Sequence, residues 1–132
     1  MAEGLSAAYA NKFLDFIGNA TSAGTAPANI YIQLHTAAPG AAGTTAVAGN
    51  SLRKGPLSFG AAASGLMSND VAILWTTGQV TANEDYTHWT LWDAASGGNF
   101  IGSGVMTANA VLIGDEFTIP IGDLDLSFNT AT

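Results

Sequence analysis

The chain has 132 residues, no cysteine and a formal net charge of −7, carried on only 10% charged residues. That length builds one domain with its own core, and the absent cysteines exclude disulfides and thiolate metal sites. Three basic residues, Lys12, Arg53 and Lys54, are too few to track a nucleic-acid backbone or to hold an anionic membrane surface.

Sparse charge has two compatible readings. One is a compact β-rich domain with many tight turns. The other is an exterior packed against neighbouring subunits, where charges would cost desolvation energy. Residues 1–5 lack the basic and long apolar regions of a secretory leader. No apolar run approaches the roughly 18 residues of a membrane helix. Synthesis and assembly in a cytoplasm are the expectation.

Taken in chain order, the elements begin with a predicted helix over residues 5–18. Ser6 is its N-cap and Gly18 its stop, and Leu5, Tyr9, Phe13, Phe16 and Ile17 fall near one face. It either lies over a β core or forms an arm that docks on a neighbour. A loop follows to Asn29. Ile30, Ile32 and Leu34 then alternate with Tyr31, Gln33 and His35, the period of a half-buried strand, and Pro39-Gly40 ends it. Residues 39–50 read as a flexible Gly/Ala loop, ordered on contact with a partner.

Residues 51–60 are extended but broken by Pro56, which fits a sheet edge, and residues 61–65 form a small-residue link. Val71 to Trp75 reads as a buried strand, and Tyr86 to Asp93 as an aromatic one. Ser96-Gly97-Gly98-Asn99 makes a hairpin turn. Phe100 to Thr107 returns, with Gly102 and Gly104 on one face beneath a large side chain, Trp89 or Trp92. Phe117, Ile119 and Ile121 alternate in the next strand; Leu124, Leu126 and Phe128 alternate in the last. A strand about every ten residues, punctuated by glycine, predicts a mainly all-β domain over residues 1–132. Its architecture is an antiparallel β-sandwich, jelly-roll-like, with one N-terminal helix.

No catalytic, metal or cofactor constellation emerges. His35 and His88 lie in separate predicted strands and lack further ligands. The adjacent acids Glu84-Asp85 and Asp115-Glu116 fall in predicted turns or at strand ends. No nucleophile elbow or phosphate loop is present. Tyr86, Trp89 and Trp92 are the candidate contacts, as interface anchors or sugar platforms. His88, Thr90 and Trp92 share one strand face and Trp89 and Leu91 the other, so at least one tryptophan is core.

The blocks Leu34-His-Thr-Ala-Ala-Pro-Gly40 and Trp92-Asp-Ala-Ala-Ser-Gly-Gly-Asn99 carry a resemblance, supported by residues 25–43, Asn69 to Ile73 and the Gly-Asp turns. Together they resemble a family of small tailed-bacteriophage virion proteins labelled tail-fibre, minor tail or minor capsid proteins. One departure is Ser51-Leu52-Arg53-Lys54, where the family's aromatic before the arginine is absent. The resemblance implies a non-enzymatic structural subunit with no cofactor. Its expected partners are the major capsid protein or tail proteins and copies of itself, as a trimer or another ring, without nucleic acid or membrane. A compact acidic domain without a shaft points to a capsid decoration (cement) protein. The alternatives are a tail-associated protein or a carbohydrate-binding host-attachment module.

Overall fold

A computed structural model describes residues 3–131; Met1, Ala2 and Thr132, the ends of the expected 1–132 domain and of its N-terminal stretch, lie outside the described residues. One helix, α1 (Ala7–Gly18), is followed by eight strands. These are β1 (Tyr31–His35), β2 (Arg53–Lys54), β3 (Leu66–Ser68), β4 (Ile73–Trp75), β5 (Glu84–Trp92), β6 (Phe100–Val111), β7 (Phe117–Ile119) and β8 (Asp125–Ser127). All pairing is antiparallel: a four-stranded sheet in the order β2-β1-β5-β6, and two ribbons, β3-β8 and β4-β7. The fold is therefore mainly antiparallel β with one N-terminal helix.

The core lies between the four-stranded sheet and the β4-β7 ribbon. Ile32, Leu34, Tyr86 and Leu91 from the sheet meet Ile73, Trp75, Phe117 and Ile119 from the ribbon, closed by Val80, Val111 and Leu124. Phe117 is the centre of an aromatic group, 5.1 Å from the Tyr86 ring and 5.6 Å from that of Trp75. Such pairs add to the stabilisation from apolar burial. β4 alternates instead of burying every residue: Ile73 and Trp75 point inward, while Leu74 is exposed. The expected alternations of the last two strands also stop early. Ile121 and Phe128 are both exposed, because Gly122 turns the chain at +84° in φ and the β8 pairing ends at Ser127.

β1 departs from the half-buried expectation. Ile32, Gln33, Leu34 and His35 are all buried, because the segment after β1 pairs along its edge through Val47 opposite His35 and brings Thr45 over the face that carries the His35 ring. Thr36 N donates to Ala46 O, Thr45 N to Pro39 O and Ala48 N to Leu34 O, at 2.9 Å each. Pro39 and Ala48 are buried in the process. The 39–50 loop, expected to wait on a partner, is thus hydrogen-bonded to itself and to β1 of its own chain. Beneath it His35 is fully buried. Its Nδ1 lies 2.8 Å from Thr45 O and its Nε2 2.8 Å from Thr90 Oγ1, which also accepts from Trp92 Nε1 at 2.8 Å. A carbonyl only accepts, so Nδ1 carries the proton and the Thr90 hydroxyl donates to Nε2. Burial lowers the His35 pKa and favours this neutral form.

Asn69 fastens the opposite end. It is buried, its Nδ2 donates to Val71 O and Pro120 O, and Leu124 N donates to its Oδ1, each at 2.9 Å. This one side chain joins the start of β4 to the β7–β8 turn.

Of the two readings of the helix, the cover over the β core is the one the structure does not meet. Ser6 caps the helix, accepting from Tyr9 N at 3.4 Å, yet α1 has no buried residue. Its attachment is the segment before it. Ser103 N donates to Gly4 O at 2.8 Å and Ser6 N to Ile101 O at 2.7 Å, laying residues 4–6 along the outer edge of β6.

Candidate functional site

The three aromatic candidates have different surroundings. Tyr86 is fully buried against Phe117, and its hydroxyl has no hydrogen-bond partner among the described residues. Trp92 is buried too. The Arg53 guanidinium lies 3.9 Å from its ring centroid and Phe100 packs at 5.4 Å. Neither ring offers a free face to a ligand. Trp89 is half-buried and lines an open cleft.

Gly102 and Gly104 do not serve the same neighbour. A Cβ on Gly104 would come within 2.2 Å of Trp89 Cζ2, so glycine there seats the indole over the β6 backbone. A Cβ on Gly102 would meet Gly4 O at 2.8 Å, so that glycine admits the N-terminal segment rather than a tryptophan.

The two sharp sequence blocks are structural clamps. In the first, His35 and buried Pro39 fix the 36–48 loop. In the second, Asp93 accepts from Asn99 N at 2.6 Å and Asn99 Nδ2 at 2.8 Å across the hairpin. These bonds hold its carboxyl below the ordinary carboxylate range. Gly97 and Gly98 supply positive φ, and a Cβ on Gly98 would strike Asp93 Oδ1. Arg53 closes the same turn, donating to Ala94 O at 2.9 Å and Gly97 O at 2.6 Å. Arg53 thus ties the edge strand β2 to the hairpin without the aromatic expected before it.

The titratable groups do not converge on a reacting centre. His35 and His88 face each other across the β1–β5 pairing. Each has its own partners: His88 Nε2 lies 3.2 Å from Glu3 Oε1, and its Nδ1 is 2.8 Å from Thr87 Oγ1. Glu84 accepts from Gly49 N at 2.8 Å. No group of three or more His, Cys, Asp or Glu among the described residues is placed to hold a metal ion.

Two surfaces remain. One is α1, where Phe13, Leu14, Phe16 and Ile17 are 41%, 65%, 59% and 79% exposed. Phe128, itself 60% exposed, meets Phe13 edge-on at 5.7 Å. The amphipathic spacing of the helix was legible in the sequence, which left open whether the helix covers the core or stands off it as an arm. The other is the cleft of about 650 Å³ beside Trp89, walled by β6, β7 and the chain from Gly122 to Asp125. Asp123 and Asp125, which line it, read from the sequence only as turn acids.

No curated protein matches the chain. A family model described as "Podophage GP4 fiber I protein gp80" matches residues 4–127, almost the whole described fold. The chain therefore belongs to the podophage GP4 fiber I protein gp80 family, a family of tailed-phage virion proteins.

Proposed function

We propose that this chain is a non-enzymatic structural subunit of a phage fibre or of the tail that bears it, acting by assembly with copies of itself and with other virion proteins. The family description favours this over the capsid-cement role expected from compactness and charge alone. One structural observation carries the assembly reading: α1 is held by residues 4–6 along β6 and by one edge-on contact of Phe13 with Phe128, while Leu14, Phe16 and Ile17 stay exposed. Phe13, Leu14, Phe16 and Ile17, exposed within two turns of one short helix, form the kind of patch that marks a protein–protein contact.

The occupant is a second copy of the chain. Aromatic side chains bury roughly 150–250 Å² each, so Phe13, Phe16, Ile17 and Phe128 meeting their counterparts would approach the ~1,000 Å² of a specific interface. A closed ring, a trimer foremost, repeats that contact without an open end.

The test is mass in solution by light scattering over a concentration series. The expected result is an oligomer that Phe16→Ser with Ile17→Ser converts to monomer. A wild-type chain that stays monomeric throughout removes the self-assembly reading. Labelling intact virions with antibody against the chain and imaging them tests location. Label on the tail or its fibres supports the proposal; label spread over the capsid faces restores the cement reading.

A further inference from the structure

β6 does not run evenly beside β5. Tyr86 faces Asn109 and His88 faces Val105, so four steps along β6 span two along β5. The surplus makes a bulge at Met106–Ala108, which breaks the ladder and bends the strand. Bulges of this kind recur where a strand must shape a site. This one forms a wall of the cleft beside Trp89.

The cleft combines two chemistries. On one side is the indole of Trp89, seated over Gly104. Glycine inside a strand is destabilising relative to alanine, and here any side chain would displace the ring. Around it stand Thr107, Asn109, Thr118, Asp123 and Asp125, all exposed. Asp125 is oriented by Ser68, whose hydroxyl donates to Oδ1 at 2.5 Å. The turn carrying Asp123 is fixed from below by Asn69.

We propose that this cleft binds a segment of a neutral polysaccharide. A pyranose ring has an apolar C–H face and a rim of hydroxyls. The Trp89 indole suits the face, by the same apolar and quadrupolar contacts that pair aromatic rings. The carboxylates accept hydrogen bonds from the hydroxyls, and the Asn109 amide both donates and accepts. The volume lies within the range of small-ligand clefts, about 300–1,000 Å³.

Charge sets the class. No lysine or arginine lines the cleft and two carboxylates do, so an acidic polysaccharide would be repelled. An extended peptide adding to the β6 edge is the competing occupant. Strand addition needs a regular row of free N–H and C=O groups, and the bulge interrupts it here. This surface shares no residue with the apolar face of α1, so the two proposals stand or fall separately.

The full chain, in the oligomeric state it adopts, is titrated with neutral hexasaccharides of glucose, mannose and N-acetylglucosamine. Oligogalacturonate serves as the acidic arm, and the indole N–H resonances are followed by NMR. At least one neutral oligosaccharide moves the Trp89 resonance while the buried Trp75 resonance stays. Trp89→Ala then weakens binding about tenfold, near 1.4 kcal/mol. Asp123→Ala, at an exposed turn, weakens it with the fold intact. The proposal is overturned if the neutral panel moves nothing, if only oligogalacturonate binds, or if both variants bind as well as wild type. A Trp89 shift on simple dilution would assign the cleft to a neighbouring subunit and also overturn it.

Discussion

The centre of the four-stranded sheet and the N-terminal helix are opposite solutions to burying apolar side chains. β1 and the last three residues of β5, Thr90 to Trp92, are closed on both faces: aromatic and aliphatic residues of the β4-β7 ribbon cover one, and the chain's own 36–48 loop covers the other. Polar groups on that second face are satisfied in a chain from Trp92 through Thr90 and His35 to Thr45. α1 carries a comparable density of large apolar residues and buries none of them. The lesson is that composition does not separate a core element from a contact element. What separates them is whether the chain supplies a second layer to meet the apolar face.

That contrast can be broken from its strongest side first. Trp75 is fully buried between the ribbon and the sheet. Trp75→Ala is expected to cost about 3–5 kcal/mol, measured by urea unfolding, and a cost under about 1 kcal/mol would show that the two layers do not share one core. Asn69→Ala should cost about 2–3 kcal/mol, because it strands buried backbone groups of the β7–β8 turn. Faster amide exchange at Gly122–Leu124 would accompany it; exchange unchanged there would discount the Asn69 clamp.

The next effect depends on pH. Burial depresses the His35 pKa from 6.5, so the unfolded chain takes up a proton before the folded one does. The contribution of neutral His35 is complete above about pH 6.5 and is lost as pH falls through the folded-state pKa. The slope approaches about 1.4 kcal/mol per pH unit for one group. Unfolding free energies between pH 7.5 and 5.5 should therefore fall for the wild type and stay flatter for His35→Gln. Equal slopes would show that the sheet tolerates imidazolium beneath the loop. Smallest of all, Phe16→Ser with Ile17→Ser should move the unfolding free energy of dissociated chains by about 0.5 kcal/mol or less. A larger loss would place the helix in the core after all.

The sequence by itself determined the strands whose pattern is local. Period-two alternation at Ile32 and Leu34, the aromatic run from Tyr86 to Trp92 and the glycine-marked hairpin at residues 96–99 are consequences of backbone geometry and turn chemistry within a few residues. The same holds for the Ser6 cap. Even the two recognisable blocks were legible as patterns. That they clamp a loop and a hairpin depends on Thr45, Thr90 and Arg53, which lie elsewhere in the chain.

Tertiary structure decided the rest, because the forces involved act between distant segments. Leu66–Ser68 carries no strand signal of its own and is a strand only because it pairs with β8. Burial of both faces of β1 required a loop to fold back. Alternation put Trp89 and Trp92 on opposite faces but did not say what each of the three aromatics meets: Tyr86 packs on Phe117, Trp92 sits under Arg53 and Trp89 lines a cleft. Periodicity states which side of a strand a residue occupies. Only the packing of layers states what, if anything, lies on that side.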